Sequence, residues 1–230
     1  MRPSTQQIAD YREQGFVHLP GVADAGRLAD LVANLEETVR AQGLTDSTWQ
    51  GKWRARYADS DRFTLQTLNK LAARSQIWKQ WLSSREMLDP IEALSGKPMQ
   101  QVDAMLLIKP PETGQAFPPH QDAAYYAEDQ GDYIIAVLHL HPTTTENGAL
   151  RFLPRSHTNG LMEHDRKGKA HLPQFDINDL VEVPAQPGDL VCCSIYTVHG
   201  SLPNRSSAPR AIVRVGYNAT SSASRPTNEA

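Results

Sequence analysis

The stretch "PPHQD", residues 118–122, sets an imidazole and a carboxylate two positions apart. On extended backbone His120 and Asp122 would share one face, near enough to hold a single cation. A second histidine beside them would complete two imidazoles and one carboxylate, a set that leaves open positions on an octahedral iron. Several histidines compete for that place. His139 and His141 bracket Leu140 near a strand end and share a face, and they also read as pocket lining or surface. His157, His164 and His171 fall in a polar loop and read as mostly solvated, while His18 follows a short helix and reads as structural. His199 lies where "DLVCCSIYTV" meets a turn; it is the best third ligand, although spacing alone does not select it. Arg210 follows it by eleven positions. A buried arginine needs a carboxylate partner, and a dicarboxylate ligand or a structural Asp or Glu would each provide one.

The elements that must position these groups change character along the chain. Residues 5–14 predict a helix ended by Gly15, and "FVHL" a short strand after it. Asp24 is placed to cap a longer helix. Leu28, Leu31, Val32, Leu35 and Val39 give that helix one apolar face, and Gly43 ends it. Residues 44–64 carry aromatics and arginines without a period and read as either a flap over a pocket or an irregular surface segment. Residues 65–95 return to a helical pattern, with Pro90 expected to start a new helix. After Gly96 the period shortens: "VDAMLLIK", "YIIAVLHL", "GALRFLP", "LVEVP", "DLVCCS" and "AIVRVGY" read as short strands between Gly, Pro, Asn and Thr clusters. Strands without helical crossovers predict a sandwich or barrel rather than a doubly wound sheet.

The bulk composition bounds the function. The 230 residues are 40% hydrophobic and 21% charged, with a formal charge of −3, which gives no electrostatic footprint for nucleic acid. No stretch approaches the roughly 18 apolar residues of a membrane span. The N-terminus lacks the apolar run of a signal peptide, so a soluble cytoplasmic protein acting on a small molecule is expected. Cys192 and Cys193 are adjacent and predict no disulfide; on a strand they would face opposite ways. No phosphate-binding glycine loop, nucleophile elbow or cysteine metal knuckle is present.

Over residues 8–218 the chain resembles the phytanoyl-CoA dioxygenase family of iron- and 2-oxoglutarate-dependent oxygenases. "YREQGFVHLPGV" is similar to that family's opening helix and strand, and "MLLIKPPETGQAFPPHQD" to its approach to the first metal ligands. "ENGALRFLPRSHTNG" is similar to its Asn-Gly-x-Leu and Gly-Ser-His segment, with Arg155 in place of the glycine. "GDLVCCSIYTVHGSLPNRSSAPRAIVRVGY" is similar to its closing His, Ser and Arg.

The resemblance implies a mainly β protein, a double-stranded β-helix (jelly roll, cupin-like) with helices packed outside. Length, the absence of a dividing linker and the composition of the last residues predict one domain over residues 1–220, with a helical third (about 1–96), a jelly-roll core (about 97–218) and a flexible tail at 219–230. The resemblance implies His120, Asp122 and His199 as Fe(II) ligands, Arg210 as the clamp on the distal carboxylate of 2-oxoglutarate, and Ser201 as its assistant. Position in the family pattern adds Gln101 and Met105 to the cosubstrate side. Phe117, Tyr125 and Tyr126 flank the ligands and are candidates for an aromatic substrate wall, with core packing the other reading; Trp53, Arg54 and Arg56 in the possible flap could meet an anionic substrate. Relatives that halogenate have a small residue in place of the carboxylate, so Asp122 implies hydroxylation or a related oxidation that consumes O2 and releases succinate and CO2. A cupin-type oxygenase that does not use 2-oxoglutarate and a non-catalytic jelly-roll binding protein are the competing readings. The short chain favours a small amino acid derivative, a phosphonate or a secondary metabolite over a CoA thioester.

Overall fold

In the computed structural model, residues 2–47, 64–126, 131–166 and 170–220 are described. Ser4 and Gln7 form a reciprocal cap on α1 (Thr5–Gln14), and Gly15 closes it at a φ of 86°. The chain then enters β1 (Phe16–Leu19) and, from the Asp24 cap, α2 (Ala25–Gln42). The apolar period of α2 becomes contact: Leu31 and Leu35 are buried against the core, with Leu28, Val32 and Val39 packed beside them.

The next segment departs from the helical expectation at its start, residues 65–68. β2 (Thr45–Ser47) and β3 (Leu65–Leu68) pair with each other, and β3 then pairs with the long β4 (Met99–Lys109). Leu65–Leu68 is too short to show a period, and its edge pairing decides its state. The helices α3 (Leu71–Arg74), α4 (Gln76–Leu82) and α5 (Arg85–Ser95) follow. Pro90 lies inside α5 instead of starting it. The proline forfeits one backbone bond, but Met87, Pro90, Ile91 and Leu94 are buried, and that packing holds the helix through it. Ile77 is 48% exposed, while Trp78, Trp81 and Leu82 face inward.

The remaining strands are β5 (Phe117–His120), β6 (Tyr133–His139), β7 (Leu150–Phe152), β8 (Val181–Val183), β9 (Leu190–Ser194), β10 (His199–Ser201) and β11 (Arg210–Ala219). Ala219 is still paired with Met99 at the end of β11. The larger sheet runs β1-β9-β6-β11-β4-β3-β2 and the smaller β5-β10-β7-β8; every named strand pair is antiparallel. The larger sheet buries its outer face against the helices, through Leu106, Leu138, Val213 and Tyr217 from the strands and Trp78 and Ile91 from the helices. Its inner face meets the smaller sheet through Ile135, Val137, Val191 and Ile212 against Leu150 and Phe152. This is the double-stranded β-helix with flanking helices. Both adjacent cysteines are buried, Cys192 in the outer layer and Cys193 in the inner one, as alternation on a strand requires.

Candidate metal centre

Two short strands carry the two candidate histidine ligands. β5 ends at His120, and its Cα partner across the ladder is His199 at the start of β10. This pairing sets the two imidazoles side by side, with ring centroids 4.4 Å apart. Between His199–His120 and Ser201–Phe117 the register slips, because β5 spends one extra residue at Pro118 and Pro119. A proline cannot donate to a ladder, so the bulge falls where no donor is lost. Gly200 permits the close approach: a Cβ there would stand 2.6 Å from the Phe117 carbonyl oxygen.

Asp122 is not on the strand with His120. The chain leaves β5, passes Gln121 and starts a 3-10 turn, Asp122–Tyr125. The buried Gln121 makes that turn rigid. Its side-chain amide donates to the carbonyls of Gly160 (2.8 Å) and Tyr196 (2.6 Å) and accepts from the Met162 N–H (2.8 Å). Its backbone N–H donates to His164 Nε2 at 3.0 Å. His164 and His171 are therefore buried members of the loop packing, where solvation had been expected. His18 is structural and bonds Asp189 at 2.8 Å. His139 is fully buried, and His141 sits half-buried with Nδ1 2.8 Å from the Pro209 carbonyl.

The donor set fits a divalent iron. The ligand atoms of His120, Asp122 and His199 all lie within 4.8 Å of one another. His120 Nδ1 sits 2.8 Å from the Pro118 carbonyl and His199 Nδ1 3.0 Å from that of Thr197, so Nδ1 is the protonated nitrogen in each ring. Each Nε2 then turns its lone pair to Asp122 Oδ1, at 3.4 Å from His120 and 3.8 Å from His199. The other carboxylate oxygen is engaged: Arg214 donates to Asp122 Oδ2 from Nε (3.1 Å) and Nη2 (2.9 Å). Arg214 also grips Asp103 through Nη1, at 2.7 and 2.8 Å, and donates to Tyr126 at 3.3 Å. Asp122 thus presents one oxygen to the ligand cluster and anchors the other.

Electrostatics suits the same role. Burial pushes the Asp122 carboxyl up, but Arg214 and the two imidazoles outweigh it and hold it well below the usual range. Burial, aided by His120, lowers His199 to about 4, so it stands neutral with a lone pair at neutral pH.

The cosubstrate candidates divide. Arg210, at the start of β11, is buried, and its Cα partner is Lys109. Nη2 of Arg210 donates to the Gly148 carbonyl at 3.0 Å, and Nε has no acceptor among the described residues. No carboxylate there pairs with it, and burial lowers it to about 10. Ser201 Oγ accepts from Lys109 Nζ at 2.7 Å. Met105 pairs with Arg214 and shares its inward face. Gln101 pairs with Tyr217 beyond a bulge, and Tyr217 points at the helices to donate to the Leu82 carbonyl. The register therefore sets Gln101 on the face turned away from the ligands.

The aromatic candidates also separate. Tyr125 meets the His120 ring edge-on at 6.1 Å and is 44% exposed, beside the ligands and open to solvent. Tyr126 joins Asp103 and Tyr133 through its hydroxyl, at 3.2 and 3.0 Å. Phe117 stacks on the His120 ring at 6.2 Å, with Lys109 Nζ 5.6 Å from its own ring centroid. Trp53, Arg54 and Arg56 lie outside the described residues. Asn147 is a turn residue, accepting from the Thr144 N–H and donating to the Pro142 carbonyl, each at 2.8 Å. Arg151 is paired with Glu182 at 2.6 Å.

Lys109, Gln121 and Arg214 were not singled out from sequence. Arg214 had a signal: it is four residues from Arg210 on one strand and therefore on the same face.

A β-helix enclosing two histidines and one carboxylate defines a non-heme Fe(II) oxygenase of the 2-oxoglutarate-dependent class. The phytanoyl-CoA dioxygenase (PhyH) pattern matches residues 11–212, and the chain belongs to that family. It is 30% identical over 213 residues to the methylphosphonate hydroxylase of Gimesia maris (strain ATCC 29201 / DSM 8797 / 534-30), covering 93% of this chain and 80% of that one. Among solved structures it is similar to the non-heme alpha ketoglutarate dependent carbocyclase SnoK from nogalamycin biosynthesis (TM-score 0.81, 21% identity, covering 99% of this chain and 88% of that one). It is also similar to EvdO2 from Micromonospora carbonacea var. aurantiaca complexed with 2-oxoglutarate (TM-score 0.72, 21% identity, 99% and 96% covered). No helix among the described residues is long and apolar enough to cross a membrane.

Proposed function

We propose that the protein hydroxylates a small organic substrate, with 2-oxoglutarate and O2 consumed and succinate and CO2 released. One oxygen atom of O2 enters the substrate C–H bond and the other enters succinate, so the reaction balances without a further reductant. Iron holding 2-oxoglutarate supplies the oxidising chemistry; the chain supplies placement and charge. His120, Asp122 and His199 would hold the metal on one face, leaving its remaining positions to cosubstrate and O2. Arg210 would bind the distal carboxylate through a bidentate pair, with Ser201 donating beside it and Met105 lining the same face. Tyr125 and Tyr126 would border the substrate, and Phe117 the cosubstrate side.

The observation that carries the hydroxylase reading is the carboxylate at Asp122, locked by Arg214 with one oxygen facing the imidazoles. With iron bound, it would take the coordination position that a halide would need. The Gimesia relative, by its name a hydroxylase of methylphosphonate, makes short alkylphosphonates the first substrate class to try.

The test starts with anaerobic Fe(II) titration with and without 2-oxoglutarate, following the visible metal-to-cosubstrate charge-transfer band, with Arg210→Ala as control. A band that requires both components and weakens in the variant is expected. Phosphonates and amino acid derivatives are then screened for equal yields of succinate and a product heavier by one oxygen. Product without stoichiometric succinate would point to an oxygenase of the cupin type. An isomerised or ring-closed product would exchange hydroxylation for another outcome of the same site.

A further inference from the structure

His199 is held by a peptide group rather than by a side chain. Its Nδ1 donates to the Thr197 carbonyl at 3.0 Å, which leaves Nε2 for the metal. That carbonyl belongs to the Thr197–Val198 peptide, whose N–H donates to Ser156 Oγ at 2.9 Å. A trans peptide is planar, and its C=O and N–H point in opposite directions. The plane therefore cannot turn without breaking both bonds, the one to Ser156 and the one from His199.

Ser156 is itself fixed. It is 2% exposed, and its Oγ donates to the Leu153 carbonyl at 2.7 Å, so a lone pair faces Val198. The Leu153 N–H in turn donates to the Val198 carbonyl at 2.8 Å. Residues 153 to 156 thus grip the peptides on both sides of Val198. The grip is seated on the end of α1, because the last carbonyls of a helix have no partner within it. Gln14 accepts from the Arg155 N–H at 2.8 Å, and the Arg12 carbonyl lies 3.2 Å from His157 Nε2. The Gly15 carbonyl accepts from Thr197 Oγ1 at 2.7 Å and from the Ser194 N–H at 2.9 Å. Both neighbours of Ser156, and Thr197 itself, therefore rest on one helix terminus.

We propose that Ser156 is a positioning residue of the iron site: by holding the Thr197–Val198 peptide it keeps His199 in the tautomer and ring orientation that present Nε2 to the metal. This role rests on the metal centre described above and not on the choice of substrate. A serine that only satisfies the buried Val198 N–H is the competing role, and it predicts lost stability with metal affinity unchanged.

The test uses Co(II), whose visible absorption bands report binding, titrated anaerobically into wild type, Ser156→Ala, Ser156→Thr and Ser75→Ala. Ser75 is a matched control in the helical layer: its buried Oγ accepts from the Trp78 N–H at 3.2 Å and donates to Asn34 at 2.6 Å. Ser156→Ala should weaken Co(II) binding about 10- to 100-fold, and Ser156→Thr, which keeps the acceptor, should retain most of the affinity. Ser75→Ala should lower the urea midpoint of the metal-free protein and leave the Co(II) constant unchanged. Nitrogen NMR shifts of the His199 ring in the metal-free protein give a second readout. Wild type should carry its proton on Nδ1 at neutral pH. Ser156→Ala should show a mixture, because Asp122 Oδ1 lies 3.8 Å from Nε2 and competes for the proton once the Thr197 carbonyl is free to turn. Ser156→Cys, a weaker acceptor, carries the comparison if Ser156→Ala does not fold. Wild-type Co(II) affinity or an unchanged tautomer in Ser156→Ala would overturn the proposal, as would equal weakening in Ser75→Ala. A wild type that takes up no Co(II) would instead remove the metal centre on which the proposal stands.

Discussion

Arg214 joins the iron site to the rest of the barrel, and its removal has a calculable outcome. Its guanidinium makes two hydrogen bonds to Asp122 and two to Asp103 in a largely buried site. Arg214→Met keeps much of the side-chain volume and deletes these four bonds together with the one to Tyr126. Two carboxylates are then left close together without their cation, and breaking a buried pair in this way costs about 3–5 kcal/mol of stability. Asp122 also loses the two donors that fix its orientation. Removing such an outer partner weakens metal binding by about 10- to 100-fold, or about 1.4–2.7 kcal/mol. Urea midpoints and an anaerobic Fe(II) titration measure the two effects separately. The double variant Arg214→Met with Asp103→Asn sharpens the test: neutralising Asp103 should restore part of the stability and none of the metal affinity. Wild-type metal affinity in Arg214→Met would refute the claim that Arg214 orients the ligand.

Other perturbations have equally definite outcomes. Gly148→Ala would set a Cβ 2.3 Å from the Leu202 carbonyl oxygen at a φ of 81°, so a stability loss of at least about 1–3 kcal/mol is expected in urea unfolding. Arg155 stands at a φ of 64°, where the family usually has glycine, so Arg155→Gly should be neutral or stabilising by up to about 1 kcal/mol on the same measurement. Burial, with Arg210 adding to it, lowers His139 to about 3. The unfolded chain therefore takes up that proton first as pH falls: the stability is complete above about pH 6.5 and is lost progressively toward pH 3. Stability against pH for the metal-free protein should show a shallower acid limb in His139→Gln; an unchanged limb would place the proton uptake elsewhere.

Much of the scaffold was legible in local pattern. Gly15, Asp24 and Gly43 punctuate the first two helices where backbone and side-chain chemistry demand, and the apolar runs of β4, β6, β9 and β11 announce buried strands. Pattern failed where a segment was short. Leu65–Leu68 gains its state from pairing with β4, and Pro90 stays helical because the core holds α5. The strands that carry the ligands, β5 and β10, span four and three residues, one of them half proline. Neither contains enough residues to display a period.

For the site itself, residue type nominated His120 and Asp122, several competing histidines with His199 foremost, and Arg210 with a structural salt bridge as its other reading, because few side chains can bind iron or grip a buried carboxylate. The resemblance over residues 8–218 ordered those nominations into roles. Tertiary structure alone decided their geometry. Register across β5 and β10 sets the imidazoles together, a 3-10 turn brings Asp122 to them, and a bulge in β4 turns Gln101 away. The outer partners arise from the same cause. Arg214 reaches Asp122 across 92 positions of chain, and Lys109 reaches Ser201 across the same number. Contacts between residues so far apart leave no local periodicity to read; they exist only once the two sheets close on each other.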